Sequence, residues 1–375
     1  MKSRKTTLLA PVLLAFLVSC SVPLNLAGIF RTMGELFPSR NIEPPEQTFK
    51  FGNDPRELDI AYEFKGKTRT LDDLFRRTKT TGFLVVKDNS IVYEKYFRGG
   101  CEESLFTSWS VAKSFLSALI GIAIEEGHIE SVNDPISMYV PELEETGYNN
   151  VPIKHILQMS SGVDFDETYY DLTSDIYVMM EKVFLFKRPV KNTILNLESE
   201  RPSGEHFRYA SSDSLALGML LSRVTGTTAS AYLEEKIWRP LGMESQANWN
   251  IDSEGVELVF CCLNATLRDY ARFGRLYLHK GNWDGVQVVP EEWVLESVVP
   301  DQPHLQPDKT GDGWGYQYQW WVPEEADGEF LACGVFGQYI YVNTGKNLVI
   351  VKTSADPKMA DSESVAAFRA IADHL

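Results

Sequence analysis

Apolar positions along the chain fall into a readable rhythm from Gly82 onward. Phe83-Leu84-Val85-Val86 and Ile91-Val92-Tyr93 flank the polar stretch Lys87-Asp88-Asn89-Ser90. Two β-forming runs around a short polar turn predict a hairpin. Over residues 110–126 apolar side chains (Phe115, Leu116, Leu119, Ile120, Ile122, Ile124) cover most of a helical circumference, and Gly127 ends the run. A helix that is apolar on nearly all sides is a buried one. Helical patterns recur over 153–160, over 212–226 with Thr225-Gly226 as the stop, and over 266–278 ahead of Gly281. Strand character returns only near the end, at 338–342 and 348–353 around Asn343-Thr344-Gly345-Lys346-Asn347, and a helix over 362–372 follows. Strands at both ends with helices between them predict an α/β (α+β) fold. In it an antiparallel sheet, built from non-contiguous segments and flanked by helices, carries an inserted all-helical lobe at about 130–285. A cleft between sheet and lobe is the natural place for a site.

Ahead of this pattern, residues 20–77 are mixed and broken by Pro38, Pro44, Pro45 and Pro55, and read as a tether plus an N-terminal extension to a domain over 78–375. The first residues are different again. Lys2, Arg4 and Lys5 precede an apolar run over 8–18, too short to span a bilayer, which reads as an export signal over 1–19. Its ending, Leu17-Val18-Ser19-Cys20, resembles the lipobox of bacterial lipoproteins. That resemblance implies diacylation of Cys20, an exported, lipid-anchored protein of the cell envelope and, with Ser21 next, an outer-membrane position facing the periplasm in a Gram-negative host.

Charge narrows the partners. The net charge is −16 from 36 basic and 52 acidic residues, and about −19 once the three leader bases are gone. So acidic a surface repels phosphate backbones and anionic headgroups, which argues against nucleic acid as a partner and leaves membrane attachment to the lipid anchor. Beyond Cys20 the cysteines are Cys101, Cys261, Cys262 and Cys333. Four allow three pairings in an oxidising compartment, which the sequence leaves open; adjacent Cys261 and Cys262 do not bridge each other easily without strain. There is no C-x-x-C, and no pair of histidines one helical turn apart. Neither a metal nor another cofactor is expected.

The chemistry-bearing feature is Ser110-Val111-Ala112-Lys113, which sets a hydroxyl and an amine one turn apart on one helix face. S-x-x-K by itself is a common pattern. Here, however, the lysine opens a helix that is otherwise apolar, where an unpaired ammonium is costly and the helix N-terminus disfavours positive charge. Both effects push the amine towards its neutral form, in which it can accept the serine proton.

S-x-x-K opening a buried helix after a hairpin resembles the penicillin-recognising serine enzymes: β-lactamases, penicillin-binding proteins and their esterase and amidase relatives. That resemblance implies the β-lactamase-like fold and a tyrosine motif about a hundred residues on, a place that Phe207-Arg208-Tyr209-Ala210-Ser211-Ser212 fills. The third motif of that family, a strand bearing Lys or His, is absent; Leu331-Ala332-Cys333-Gly334-Val335-Phe336-Gly337-Gln338 stands there without a cation. The G-x-x-G-Q pattern resembles the branch of 6-aminohexanoate-dimer hydrolases and related carboxylesterases. So do the long stretch from Phe260 to Gly274 and Met159-Ser160-Ser161-Gly162.

The resemblance implies Ser110 as nucleophile, Lys113 as general base, Tyr209 as proton relay and the backbone N–H groups of Ser110 and Val335 as oxyanion hole. Tyr170, Ser211, Gly334 and Gly337 are implied at the substrate. The acidic, aromatic segment 164–171 corresponds to a lid, Trp320 and Trp321 are candidates for the cleft wall or the core, and Cys333 reads as a small filler. The expected reaction is hydrolysis of a small-molecule ester or linear amide through an acyl-enzyme. Two alternatives remain open: a β-lactamase or D-Ala peptidase, made less apt by the missing cation, and a non-catalytic ligand-binding protein of the envelope.

Overall fold

The computed structural model describes residues 25–169, 171–310, 313–359 and 361–375. The expected export signal, Cys20 and Tyr170 fall outside the described residues.

In chain order, the elements that build the site begin with helix α1 (Leu26–Arg31) and strands β1 (Ser39–Ile42) and β2 (Gly52–Asn53), followed by helix α2 (Leu71–Arg77). The predicted hairpin is β3 (Thr80–Lys87) and β4 (Ser90–Tyr96), and β5 (Phe106–Thr107) leads into helix α3 (Ala112–Glu125). The lobe contributes α4 (Asp175–Phe184), α5 (Ser211–Thr225), β6 (Ala247–Asn250), β7 (Leu263–Ala265) and α6 (Leu267–Leu278). The chain ends with β8 (Gly315–Gln317), β9 (Trp320–Val322), β10 (Glu329–Gly334), β11 (Gln338–Asn343), β12 (Leu348–Ser354) and α7 (Asp361–His374).

The main sheet has eight strands in the order β8-β9-β10-β11-β12-β3-β4-β2. Its pairings are antiparallel except at the edge, where β2 runs parallel to β4. The N-terminal hairpin thus joins the C-terminal one directly, with Val85 opposite Ile350, which is how distant segments make one sheet. Period-two alternation divides its side chains between two faces. Phe83, Val85, Tyr341 and Ile350 pack with Phe368 of α7 and Leu74 and Phe75 of α2. Leu84, Val86, Ile340 and Val349 face α6 and α3 on the other side. There Phe115 stacks on Phe273, ring centroids 3.7 Å apart. Each side chain so buried contributes about 1.5–3 kcal/mol.

Helix α3 is buried from Ala112 to Ala123, as its all-round apolar pattern predicts. The expectation of an all-helical lobe is corrected in one respect. β6 and β7 lie within it and form a second sheet, β1-β6-β7-β5. These strands are three or four residues long and buried on every residue, so they show no polar–apolar alternation by which a strand is recognised. The same sheet draws in the N-terminal segment: Arg40 pairs with Trp249, and Arg40 donates to Glu257 at 2.8 Å.

Candidate active site

Ser110 sits in a single 3-10 turn, Trp109–Val111, that feeds directly into α3. Trp109 holds a left-handed backbone, φ 44°, an unusual conformation for a bulky residue and a sign that its surroundings enforce it. The following turn of α3 brings Lys113 back beneath the serine. Its Nζ lies 3.0 Å from Ser110 Oγ, 3.2 Å from Ser211 Oγ and 3.0 Å from the Phe260 carbonyl oxygen. Lys113 is 1 % exposed, and burial lowers its pKa to about 8, against an opposing pull from the Glu167 carboxylate.

The hydrogens around this amine are largely determined by its neighbours. Ser211, the first residue of α5, donates its hydroxyl to Glu167 Oε1 at 2.7 Å and its backbone N–H to Oε2 at 2.8 Å. A carboxylate only accepts, so the Ser211 proton points at Glu167 and a lone pair is left for Lys113. The Phe260 carbonyl is likewise an acceptor only. A neutral Lys113 therefore spends its two N–H bonds on Ser211 and Phe260 and aims its lone pair at the Ser110 hydroxyl. Glu167 also accepts from the Tyr169 hydroxyl at 2.8 Å, and its charge at the start of α5 is favoured by the helix dipole.

Tyr209 lies just before α5. Lys113 Nζ stands 4.9 Å from its ring centroid, and Trp321 stacks on the Tyr209 ring, centroids 5.6 Å apart. Burial first, then the Glu167 charge, raise the phenol pKa well above 10, partly offset by a hydrogen bond with Ser110. Tyr209 accordingly keeps its phenol proton at physiological pH. Of the two tryptophans, Trp320 is core, packed on Phe273 and Tyr277, while Trp321 lines the cleft with Tyr209.

The third segment, β10, passes against the serine turn. A Cβ on Gly334 would meet the Ser108 carbonyl at 2.5 Å and Ser110 N at 3.0 Å, so only glycine lets the strand approach this closely. Val335 follows at the cleft beside Ser110, and Gly337 turns the chain with φ 85°. The Gln338 side chain ties this turn down, donating to Val335 O and Ser354 O and accepting from Ser354 N. The strand itself lacks a cation, but one lies behind it. Lys352 of β12, fully buried, reaches Ser354 Oγ at 2.5 Å and the Gly337 carbonyl at 3.5 Å. Burial lowers its pKa to about 8. Its partners lie beneath the turn, and it is not among the residues that line the cleft.

Of the pairings the sequence leaves open, the structure shows the one that adjacent residues do not make easily: Cys261 and Cys262 are disulfide-bonded to each other. An extended or helical segment could not close so small a ring, but this one is a turn with Cys262 at φ 66°. Its carbonyls are held by Trp249 Nε1 at Cys261 O (2.7 Å) and Asn250 N at Cys262 O (3.1 Å). The same turn presents Phe260 O to Lys113. Cys101 and Cys333 form no disulfide. Cys333 is part of the cleft lining rather than core filler, and is partly exposed.

Ser110, Lys113, Tyr209, Ser211, Gly334 and Val335 thus come together around one cleft, and Gly337 stands one turn behind. The sequence reading missed Glu167 and Lys352. Glu167 is one of three acids in Asp164-Phe165-Asp166-Glu167 and nothing local singles it out. Lys352 did leave a trace, being a lysine inside the apolar run 348–353. Among the described residues no cluster of three His, Cys, Asp or Glu side chains is arranged to hold a metal ion.

Comparison with known proteins places this geometry. The family model described as Beta-lactamase matches residues 71–374. The 6-aminohexanoate-dimer hydrolase of Paenarthrobacter ureafaciens is 28% identical over 342 residues, covering 88% of this chain and 85% of that protein. Among solved structures, "Putative 6-aminohexanoate-dimer hydrolase from Bacillus anthracis" superposes with a TM-score of 0.84 at 25% identity, over 93% of this chain and 94% of the other. A family VIII carboxylesterase shares the fold, with a TM-score of 0.62 at 14% identity over 79% of this chain and 93% of that one. With the family match extending over well more than half of its length, the chain belongs to the beta-lactamase family of serine hydrolases.

Proposed function

We propose that the protein hydrolyses an ester or a linear amide through an acyl-enzyme on Ser110. The observation that carries this reading is the 3.0 Å approach of a buried Lys113 amine to Ser110 Oγ, with the amine's other two partners both acceptors. Lys113 takes the hydroxyl proton as Ser110 Oγ attacks the carbonyl carbon. The oxyanion so formed is met by the backbone N–H groups of Ser110 and Val335, the contribution that usually lowers such barriers most. As the C–O or C–N bond breaks, Tyr209 delivers a proton to the departing oxygen or nitrogen, and the Lys113 ammonium, 4.9 Å from the Tyr209 ring centroid, replaces it. Water then attacks the acyl-enzyme carbonyl, losing a proton to Lys113, and Lys113 passes that proton to Ser110 Oγ as the Oγ–acyl bond breaks and the acid is released.

The likeness to a 6-aminohexanoate-dimer hydrolase supports a linear amide, and the shared fold of a carboxylesterase supports an ester. Against β-lactam turnover stands the third strand, which offers the cleft Cys333 and Gly334 but no cation. A fluorophosphonate probe followed by peptide mapping tests the scheme: label on Ser110, absent from Ser110→Ala, is expected. No label, or label elsewhere, overturns it. Rapid nitrocefin turnover would move the substrate assignment to β-lactams.

A further inference from the structure

Ser110 stands where two cavities meet. One, of about 550 Å³, lies on the side of Tyr209, Trp314, Trp321 and Asp361. The other, of about 380 Å³, is walled by Leu26, Phe30, Ile176, Met180, Phe260 and Phe336, and Tyr209 takes no part in it. Val335 and Ser110 border both. The second cavity falls within the size range of small-ligand sites. Its polar side chains are gathered mainly at the reacting end, where Glu167, Ser211 and Ser110 meet, with Glu181 on α4. No lysine, arginine or histidine belongs to its wall among the described residues.

The position of the proton donor orients the substrate between these two spaces. Tyr209 protonates the leaving group, so the leaving group occupies Tyr209's cavity and the acyl part turns the other way. We propose that the apolar cavity is an acyl chamber, which selects esters or amides of aliphatic acids that carry no negative charge on the acyl chain and whose outer wall is the N-terminal helix α1. This rests on the hydrolase reading above. An anionic acyl group would be placed beside Glu167 and Glu181 in an apolar surround, at a cost that no nearby cation offsets.

Helix α1 is more than a cover. Phe30 packs against Trp109 at 5.3 Å and Phe336 at 5.1 Å, and those two rings meet at 5.4 Å. Trp109 immediately precedes the nucleophile and Phe336 follows Val335, and both hold left-handed backbones, φ 44° and 65°. The aromatic cluster that shapes the chamber's mouth thereby also clamps the two backbone positions next to the reacting carbonyl. Leu26 and Phe30 precede residue 71, where the family match begins, so this wall of the chamber lies outside the family-matched region.

The test varies acyl and alcohol lengths separately. With p-nitrophenyl acetate, butyrate, hexanoate and octanoate, kcat/KM is expected to rise about fourfold for each methylene that is fully buried, until the chamber is filled. Met180→Trp, which fills the chamber, lowers the hexanoate-to-acetate ratio at least tenfold, while the hexyl-to-methyl ratio among acetate esters stays as in the wild type. Met180→Ala, which enlarges it, moves the optimum to a longer acyl chain, and gives a second reading if the tryptophan variant does not fold. A flat acyl series with clear acetate hydrolysis overturns the chamber and leaves the hydrolase standing. So does a tryptophan variant that changes the alcohol ratio instead. No hydrolysis of any ester together with no label on Ser110 overturns both.

Discussion

Replacing Glu167 by glutamine removes one negative charge from the vicinity of Lys113 while preserving side-chain size. The two hydrogen bonds through Ser211 Oγ, 2.7 and 3.2 Å long, keep the carboxylate within about 6 Å of the amine. At that separation an effective dielectric of about 20 gives an attraction of about 2.8 kcal/mol, equivalent to about two pH units. Glu167 is partly exposed, and solvent screening reduces this to about one unit. The sign follows from the proposed mechanism. Lys113 must be neutral to accept the serine proton, so kcat/KM rises with pH through its pKa, about 8 in the wild type. Glu167 stabilises the ammonium and holds that pKa up, hence Glu167→Gln moves the acidic limb down by about one unit, towards pH 7. The plateau falls as well, because an amide can turn a donor towards Ser211 and disturb the lone pair that Lys113 uses. Stopped-time assays with a p-nitrophenyl ester from pH 5.5 to 10 separate limb from plateau. A limb that stays in place or moves upward refutes the reasoning, whatever happens to the plateau.

Two other outcomes follow from the site and its support. Tyr209→Phe is expected to lower hydrolysis of a linear amide by about 10²–10⁴, the usual range for a lost general acid. A p-nitrophenyl ester should suffer much less, because nitrophenolate departs without a proton; equal losses on both substrates would remove Tyr209 from the leaving-group step. Asp213, buried in α5 and accepting from Tyr148 at 2.9 Å, has its pKa raised by burial to about 7 from an ordinary 3.8. The folded state therefore binds this proton more tightly than the unfolded chain. The stabilisation is full below about pH 4 and is lost as pH rises through about 7, a difference of up to about 4 kcal/mol. Asp213→Asn keeps the acceptor for Tyr148, so its melting temperature should gain on the wild type between pH 4 and 7. Parallel pH profiles for the two proteins would contradict this.

Much of the frame was legible because it depends on local periodicity. The hairpins at 83–93 and 338–353 and the buried helix after Ser110 all announce themselves within a window of a few residues. So does the anomaly of Lys113, a lysine in the first turn of an apolar helix, and its perturbed pKa is the physical consequence of that placement. The strands at 247–250 and 263–265 were not legible, being too short and too completely buried to alternate. The disulfide between Cys261 and Cys262 was not legible, because adjacent cysteines bond only in a particular turn and no local pattern predicts the left-handed Cys262.

What the sequence alone determined is the set of parts: the Ser110–Lys113 pair one helical turn apart, a tyrosine motif ahead of a second buried helix, a glycine-rich strand, and the fold class. Tertiary structure decided how the amine is used. Its partners come from Ser110, Ser211 and Phe260, and Glu167 sets the direction of the Ser211 proton, although these residues are as much as 150 positions apart in the chain. It also placed the Lys352 ammonium beneath the Gly337 turn and set helix α1 against Trp109 and Phe336. Helical and strand periods report only which face of an element is apolar. Which atoms meet across elements depends on packing of the whole core, and in this protein the direction of a single proton rests on it.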